Sequence, residues 1–175
     1  MPELRELHRV WLAGTFERFE RPLVAYARCL LRGDVEAARD VTQEVFVQLC
    51  KEPWPEIESK AEAWLFRVCR NKSLDRIKRW ENRMHKQIDT ESWNAASDQL
   101  ASDPAVACQE MEILDRVRDT VRQLSDRHQE ILGLRLQQGL SYQQIAEVTG
   151  LSVSNVGVQL HEAIMKLRVK LKAIG

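Results

Sequence analysis

Residues Leu140–Arg168 read LSYQQIAEVTGLSVSNVGVQLHEAIMKLR, and this stretch decides the fold. Ser141, followed three residues later by Gln144, makes a capping box, the reciprocal pairing that opens a helix. Tyr142, Ile145, Ala146 and Val148 recur at helical spacing and are expected to face inward on a short helix. Gly150 suits the left-handed conformation that ends it, and Leu151 fills the turn. Ser152 or Ser154 then caps a second helix with a stripe of Val156, Leu160, Ile164 and Leu167. A short helix, a glycine turn and a second helix form a helix-turn-helix, which reads the DNA major groove with the start of its second helix. Plain helical hairpins share this outline, but the glycine turn and the small Ala146 at the helix contact favour the DNA-reading unit.

The same periodicity runs outward through the chain. Glycine (7) and proline (5) are few, apolar spacings of three and four recur, and strict alternation is rare. The fold class is therefore all-α. In Asp34–Cys50, DVEAARDVTQEVFVQLC, one face carries Ala38, Val41, Val45 and Leu49 and the opposite face Asp40, Gln43, Glu44 and Val47. Ser59 and Glu62 predict a second capping box, opening a long helix, AEAWLFRVCRNKSLDRIKRW. Ala61, Trp64, Leu65, Val68, Leu74 and Ile77 supply its buried stripe. Arg67, Arg70, Lys72, Arg76, Lys78, Arg79 and Arg83 crowd its remaining surface, with Asn71 and Trp80 among them. The acids nearby in sequence are Glu62, Asp75 and Glu81, so most of this positive charge lacks a local counter-ion. Cations that neutralise phosphates release counter-ions, and aromatic and amide groups between them stack on or hydrogen-bond exposed bases.

The 175 residues carry 26 Lys+Arg and 26 Asp+Glu, a formal net charge of zero. The balance is −3 over residues 1–58, +6 over 59–88, −7 over 89–115 and +4 over 116–175. The acidic stretch begins DTESWNAASDQLASDPA, a linker composition, and ends at Asp103-Pro104, a helix start. Two small helical domains are expected, 1–88 and 104–175, joined by an acidic flexible linker over 89–103. An apolar fraction of 44% excludes a compositionally disordered chain. The four cysteines (Cys29, Cys50, Cys69, Cys108) form no C-x-x-C pair and the four histidines are scattered. Reduced thiols are expected, without a disulfide framework, a metal or a cofactor. The start, MPELRELHRVWLAG, has no signal-peptide core, and no apolar run approaches the ~18 residues of a membrane span. The chain is expected to be cytoplasmic, with no membrane partner. It contains no phosphate-cradling glycine loop, no H-E-x-x-H and no G-x-S-x-G, and no histidine lies near the Asp40–Glu44 carboxylate pair, so no enzyme is expected.

Four segments, in order, resemble the extracytoplasmic-function sigma factors, the small two-domain branch of the bacterial sigma-70 family. Asp40–Phe46 resembles that family's D-x-x-Q-E-x-F segment. Ala63–Asn71 resembles A-W-L-x-x-I-A-x-N and is continued by Leu74, Asp75 and Arg79. LSDRHQEILGLR (Leu124–Arg135) resembles L-P-x-x-R-x-x-x-x-L-R, and Gly139–Ala146 resembles G-L-S-Y-x-E-I-A. The resemblance implies an RNA polymerase sigma factor with core RNA polymerase and promoter DNA as partners. It implies that Asp40, Gln43, Glu44 and Val47 dock the coiled coil of the polymerase clamp. Trp64, Arg67, Arg70, Asn71, Lys72, Arg76 and Arg79 would handle the minus-ten element, capturing a flipped base so that binding energy drives strand opening. Ser141, Tyr142, Ser154, Asn155, Gln159, His161 and Lys166 would meet the minus-thirty-five element. The linker would thread the RNA-exit path, its −7 balance imitating nucleic acid. An anti-sigma protein is one implied route of control, beside phosphorylation and expression level.

Two departures stand out. Ser125 replaces the family's usual proline, and Gly157, Gln159 and Glu162 occupy positions that are usually basic. Glutamine pairs with adenine where arginine pairs with guanine, and Glu162 is expected to repel phosphate, so weaker, less salt-sensitive minus-thirty-five binding than a typical member shows is expected. The competing reading is a stand-alone helix-turn-helix regulator, which would carry a ligand or dimerisation module in place of the basic helix and its acidic neighbour.

Overall fold

The computed structural model describes residues 2–84 and 117–172, and every regular element among them is helical. They divide into two compact units, residues 2–84 in one and the bulk of residues 117–172 in the other. The linker expected over 89–103, the Asp103-Pro104 helix start and Cys108 lie outside the described residues.

The first unit holds α1 (Pro2–Leu30), α2 (Val35–Leu49), the single turn α3 (Trp54–Ile57), a 3-10 turn (Glu58–Lys60) and α4 (Ala61–Met84). The α1–α2 turn works because Gly33 takes φ 96° and Asp34 caps α2, accepting the Ala37 N–H at 2.9 Å. The apolar face of α2 is buried as its spacing predicts: Ala38, Val41, Val45 and Leu49, joined by Thr42 and Phe46. They pack with Leu23, Tyr26 and Ala27 of α1 and Leu65, Phe66 and Cys69 of α4 in a core tied by edge-on rings: Phe66 lies 5.4 Å from Tyr26 and 6.5 Å from Phe19, centre to centre.

The second capping box does not form. Ser59 sits inside the 3-10 turn, flanked by Ile57 and Ala61 in right-handed helical conformation. A capping serine needs an extended backbone, whereas here the chain enters α4 already coiled. Glu62 instead pairs with Arg18 of α1 at 3.5 Å.

The second unit holds helical residues 117–122, α5 (Asp126–Leu132) running into a π-helical turn (Gly133–Gln137), α6 (Tyr142–Thr149) and α7 (Val153–Lys172). Ser125, in place of proline, caps α5 through the His128 N–H. The Ser141 box forms in full: Gln144 N–H donates to Ser141 Oγ at 3.2 Å, and Ser141 N–H to Gln144 Oε1 at 2.8 Å. Gly150 takes φ 72°, the left-handed cap that turns the chain into α7. Of the two candidate serines, Ser152 is the cap, accepting the Asn155 N–H at 3.2 Å. The buried stripe of α7 is Val156, Leu160 and Ala163, with Leu167 half-buried. Ile164, expected in that stripe, is exposed, because a buried residue seven or eight positions along satisfies the spacing equally and packing selects Ala163. Tyr142, expected to face inward, is 40% exposed.

Candidate nucleic-acid interface

Asp40, Gln43, Glu44 and Val47 all lie exposed on the outer face of α2, where the apolar spacing leaves them. They border a shallow groove completed by Gln48, Lys51, Lys72 and Arg76. Its floor is ionic. Arg76 Nη2 donates to Asp40 Oδ2 at 2.8 Å and Nη1 approaches Glu44 at 4.0 Å. Lys72 Nζ donates to Glu44 Oε2 at 3.1 Å. Two cations of the basic helix are thus held by acids 28 and 36 residues earlier, partners that local sequence does not reveal.

At 100° per residue, the remaining polar groups of α4 sort into rows. Lys72, Arg76, Arg79 and Arg83 follow one another at four, three and four residues, a row whose start faces α2. Arg79 and Arg83 also turn back on their own helix, donating to the carbonyls of Asp75 and Arg79. Arg67, Asn71 and Lys78 form a second, fully exposed row, with Arg70 half-buried beside it. The minus-ten set read from sequence is therefore not one surface. Trp64 leaves the set, because it is 8% exposed and belongs to the core. Lys78 joins the exposed row, and its spacing from Arg67 and Asn71 was the available signal.

On the second unit, Ser141, Tyr142, Ser154, Asn155, His161 and Lys166 are exposed and Gln159 is half-buried. Three contacts unseen in sequence shape this surface. The Arg135 guanidinium lies 5.5 Å from the Tyr142 ring centre and donates to the Leu140 carbonyl at 3.0 Å. A Cβ at Gly157 would stand 3.7 Å from Tyr142 Cε2, so the ring lies over that flank of α7. Glu162 does not simply stand toward phosphate: its carboxylate lies 3.5 Å from Nε2 of the buried His128, whose Nδ1 is 2.9 Å from Ser125 Oγ.

Cys69 is buried and burial pushes its thiol up to about 12, while Cys29 and Cys50 are exposed. Among the described residues no cluster of three or more acidic, histidine or cysteine side chains could hold a metal ion, and no helix is long and apolar enough to cross a membrane.

Residues 15–83 match the family model for sigma-70 region 2, and residues 114–167 that for sigma-70 region 4. The chain is 30% identical over 149 residues to the ECF RNA polymerase sigma factor SigL of Mycobacterium tuberculosis, covering 83% of this chain and 80% of SigL. It is 31% identical over 137 residues to the RNA polymerase sigma factor YlaC of Bacillus subtilis, covering 77% of each. In fold it resembles the sigma factor RpoE of Bartonella quintana, solved in complex with the anti-sigma factor NepR. The TM-score is 0.60 at 19% identity over 98% of both chains.

Proposed function

The chain belongs to the extracytoplasmic-function sigma factors of the sigma-70 family, and from that premise we propose a division of labour among its residues. It is an RNA polymerase sigma factor. Residues 1–88 form the domain that docks core polymerase and opens the promoter, residues 89–103 the linker, and residues 104–175 the domain that reads the minus-thirty-five element. Asp40, Gln43, Glu44 and Val47 meet the polymerase clamp. Arg67, Arg70, Asn71 and Arg79, with Lys78, guide the single strand of the minus-ten element. Lys72 and Arg76 hold the acids of α2 in place rather than meeting DNA first.

The observation that carries this reading is the exposed row of Arg67, Asn71 and Lys78 on α4, beside an α2 face whose acids are already engaged. Exposed cations attract the backbone, and an amide between them can hydrogen-bond an unstacked base. No chemical step is required, because opening is driven by the difference in binding between paired and flipped bases. The NepR-bound state of the RpoE fold supports placing an anti-sigma protein among this chain's partners.

Run-off transcription with bacterial core polymerase on genomic fragments tests the reading. Discrete start sites that disappear with Asn71→Ala are expected. Duplex binding indifferent to polymerase would instead establish a stand-alone regulator.

A further inference from the structure

We propose that α7 reads A·T base pairs through the thymine methyl group, with Val158 as the specificity-determining residue. This deepens the reading above, in which α7 enters the major groove at the minus-thirty-five element. Ser154, Val158, His161 and Met165 follow one another at four, three and four residues, a row opposite the buried Val156, Leu160 and Ala163. This is the outward face of the helix that a helix-turn-helix lays into the groove. At its centre Val158 is 52% exposed, an apolar group where a base-reading surface ordinarily holds donors.

This face lacks the side chain that pairs most strongly with guanine. No lysine or arginine occurs from Val153 to Met165, so the bidentate arginine–guanine pair is missing. Arg135 is engaged by the Leu140 carbonyl and the Tyr142 ring. Glu162 leans on His128 of α5. The exposed groups are Ser154 and His161, which make no bidentate match to one base, the Asn155 amide beside them, which matches the acceptor–donor edge of adenine, and the methyls of Val158, which match the C5-methyl of thymine. The Tyr142 ring covers the Gly157 flank of α7, which leaves the row through Val158 as the open face.

The test selects duplexes with a randomised block, using the full chain bound to bacterial core polymerase. Enriched duplexes are remade with deoxyuridine for thymine, which removes only the methyl. The inference expects A·T pairs in the upstream enriched block and about fourfold weaker binding for each contacted methyl lost. With Val158→Ala the thymine and deoxyuridine duplexes should bind equally, while circular dichroism shows unchanged helix content. An enriched block led by guanine overturns the inference but leaves the sigma-factor reading standing. So does equal binding of the two duplexes by the unaltered chain, or a difference that survives in Val158→Ala. Enrichment of no sequence would overturn both.

Discussion

Arg67→Ala and Arg76→Ala remove the same charge from the same helix, yet the geometry assigns them different consequences. Arg67 stands on the exposed row of α4, whereas Arg76 lies 2.8 Å from Asp40 and 4.0 Å from Glu44. A cation on a phosphate of single-stranded DNA contributes about 0.7 to the slope of log affinity against log salt. Arg67→Ala should lower the slope by about that amount, while Arg76→Ala should leave it nearly unchanged, because Arg76 would first have to leave two carboxylates. The stability effects run the other way. The Arg76 and Asp40 side chains are 35% and 58% exposed, so solvent screening limits their pair to about 0.2–1 kcal/mol. Removing Arg76 also leaves Asp40 and Glu44, like charges one turn apart, to repel by about 0.2–0.5 kcal/mol. Arg76→Ala should therefore unfold at lower urea with little change in DNA affinity, and Arg67→Ala the reverse. The assay is fluorescence anisotropy of a labelled non-template oligonucleotide from a mapped promoter, bound to polymerase holoenzyme across a salt series, beside urea unfolding of the isolated chain. A slope reduced equally by both substitutions would refute the division between the two rows.

Further outcomes are expected at three positions. Gly150→Ala should cost about 1–2 kcal/mol in urea unfolding, because nothing crowds an added Cβ and the whole penalty is the left-handed φ of 72°. Gly157→Lys should raise the salt slope of duplex binding by about 0.9, its Cβ making ordinary contact with Tyr142; an unchanged slope would count against this placement. Cys69 should resist iodoacetamide in the folded chain while Cys29 and Cys50 react, as read by mass spectrometry. Its folded thiol keeps a proton that the unfolded chain releases above 9.0, so this contribution to stability is present below that pH and is lost as pH rises toward about 12. Cys69→Ala should flatten the alkaline fall in melting temperature.

Features readable from sequence are those that local rules dictate. The Ser141–Gln144 box, the left-handed Gly150 and the two faces of α2 depend on neighbours within one turn, and each forms as its residues require. The Ser59 box has an equally good local pattern but fails, because a helical turn already precedes it. Trp64 shows a different limit: a residue type suited to stacking on bases is equally suited to a core, and its position on the apolar stripe decides. The ion pairs of Lys72 and Arg76 join residues 28 and 36 apart, and His128 meets Glu162 across two helices. No periodicity encodes such pairings, and they alter most what the basic and acidic positions are taken to do.

These pairings change what the zero net charge means. Residues 59–88 carry a balance of +6, but two of their cations are neutralised by Asp40 and Glu44 of the preceding segment. Among the described residues of α4, the exposed positive charge without an acidic partner is that of Arg67 and Lys78, beside Asn71, and of Arg79 and Arg83 on the other row. On α7 the cations begin at Lys166, beyond the turns that enter a groove. On the proposed division of labour, electrostatic attraction would act chiefly where the strands separate, while α7 would meet bases with amide and methyl groups. If the first unit supplies most of the charge and the second the duplex contact, both must be engaged at once. The contribution of α7 should then be small in isolation and large once core polymerase holds both units on one promoter, because the second contact becomes intramolecular.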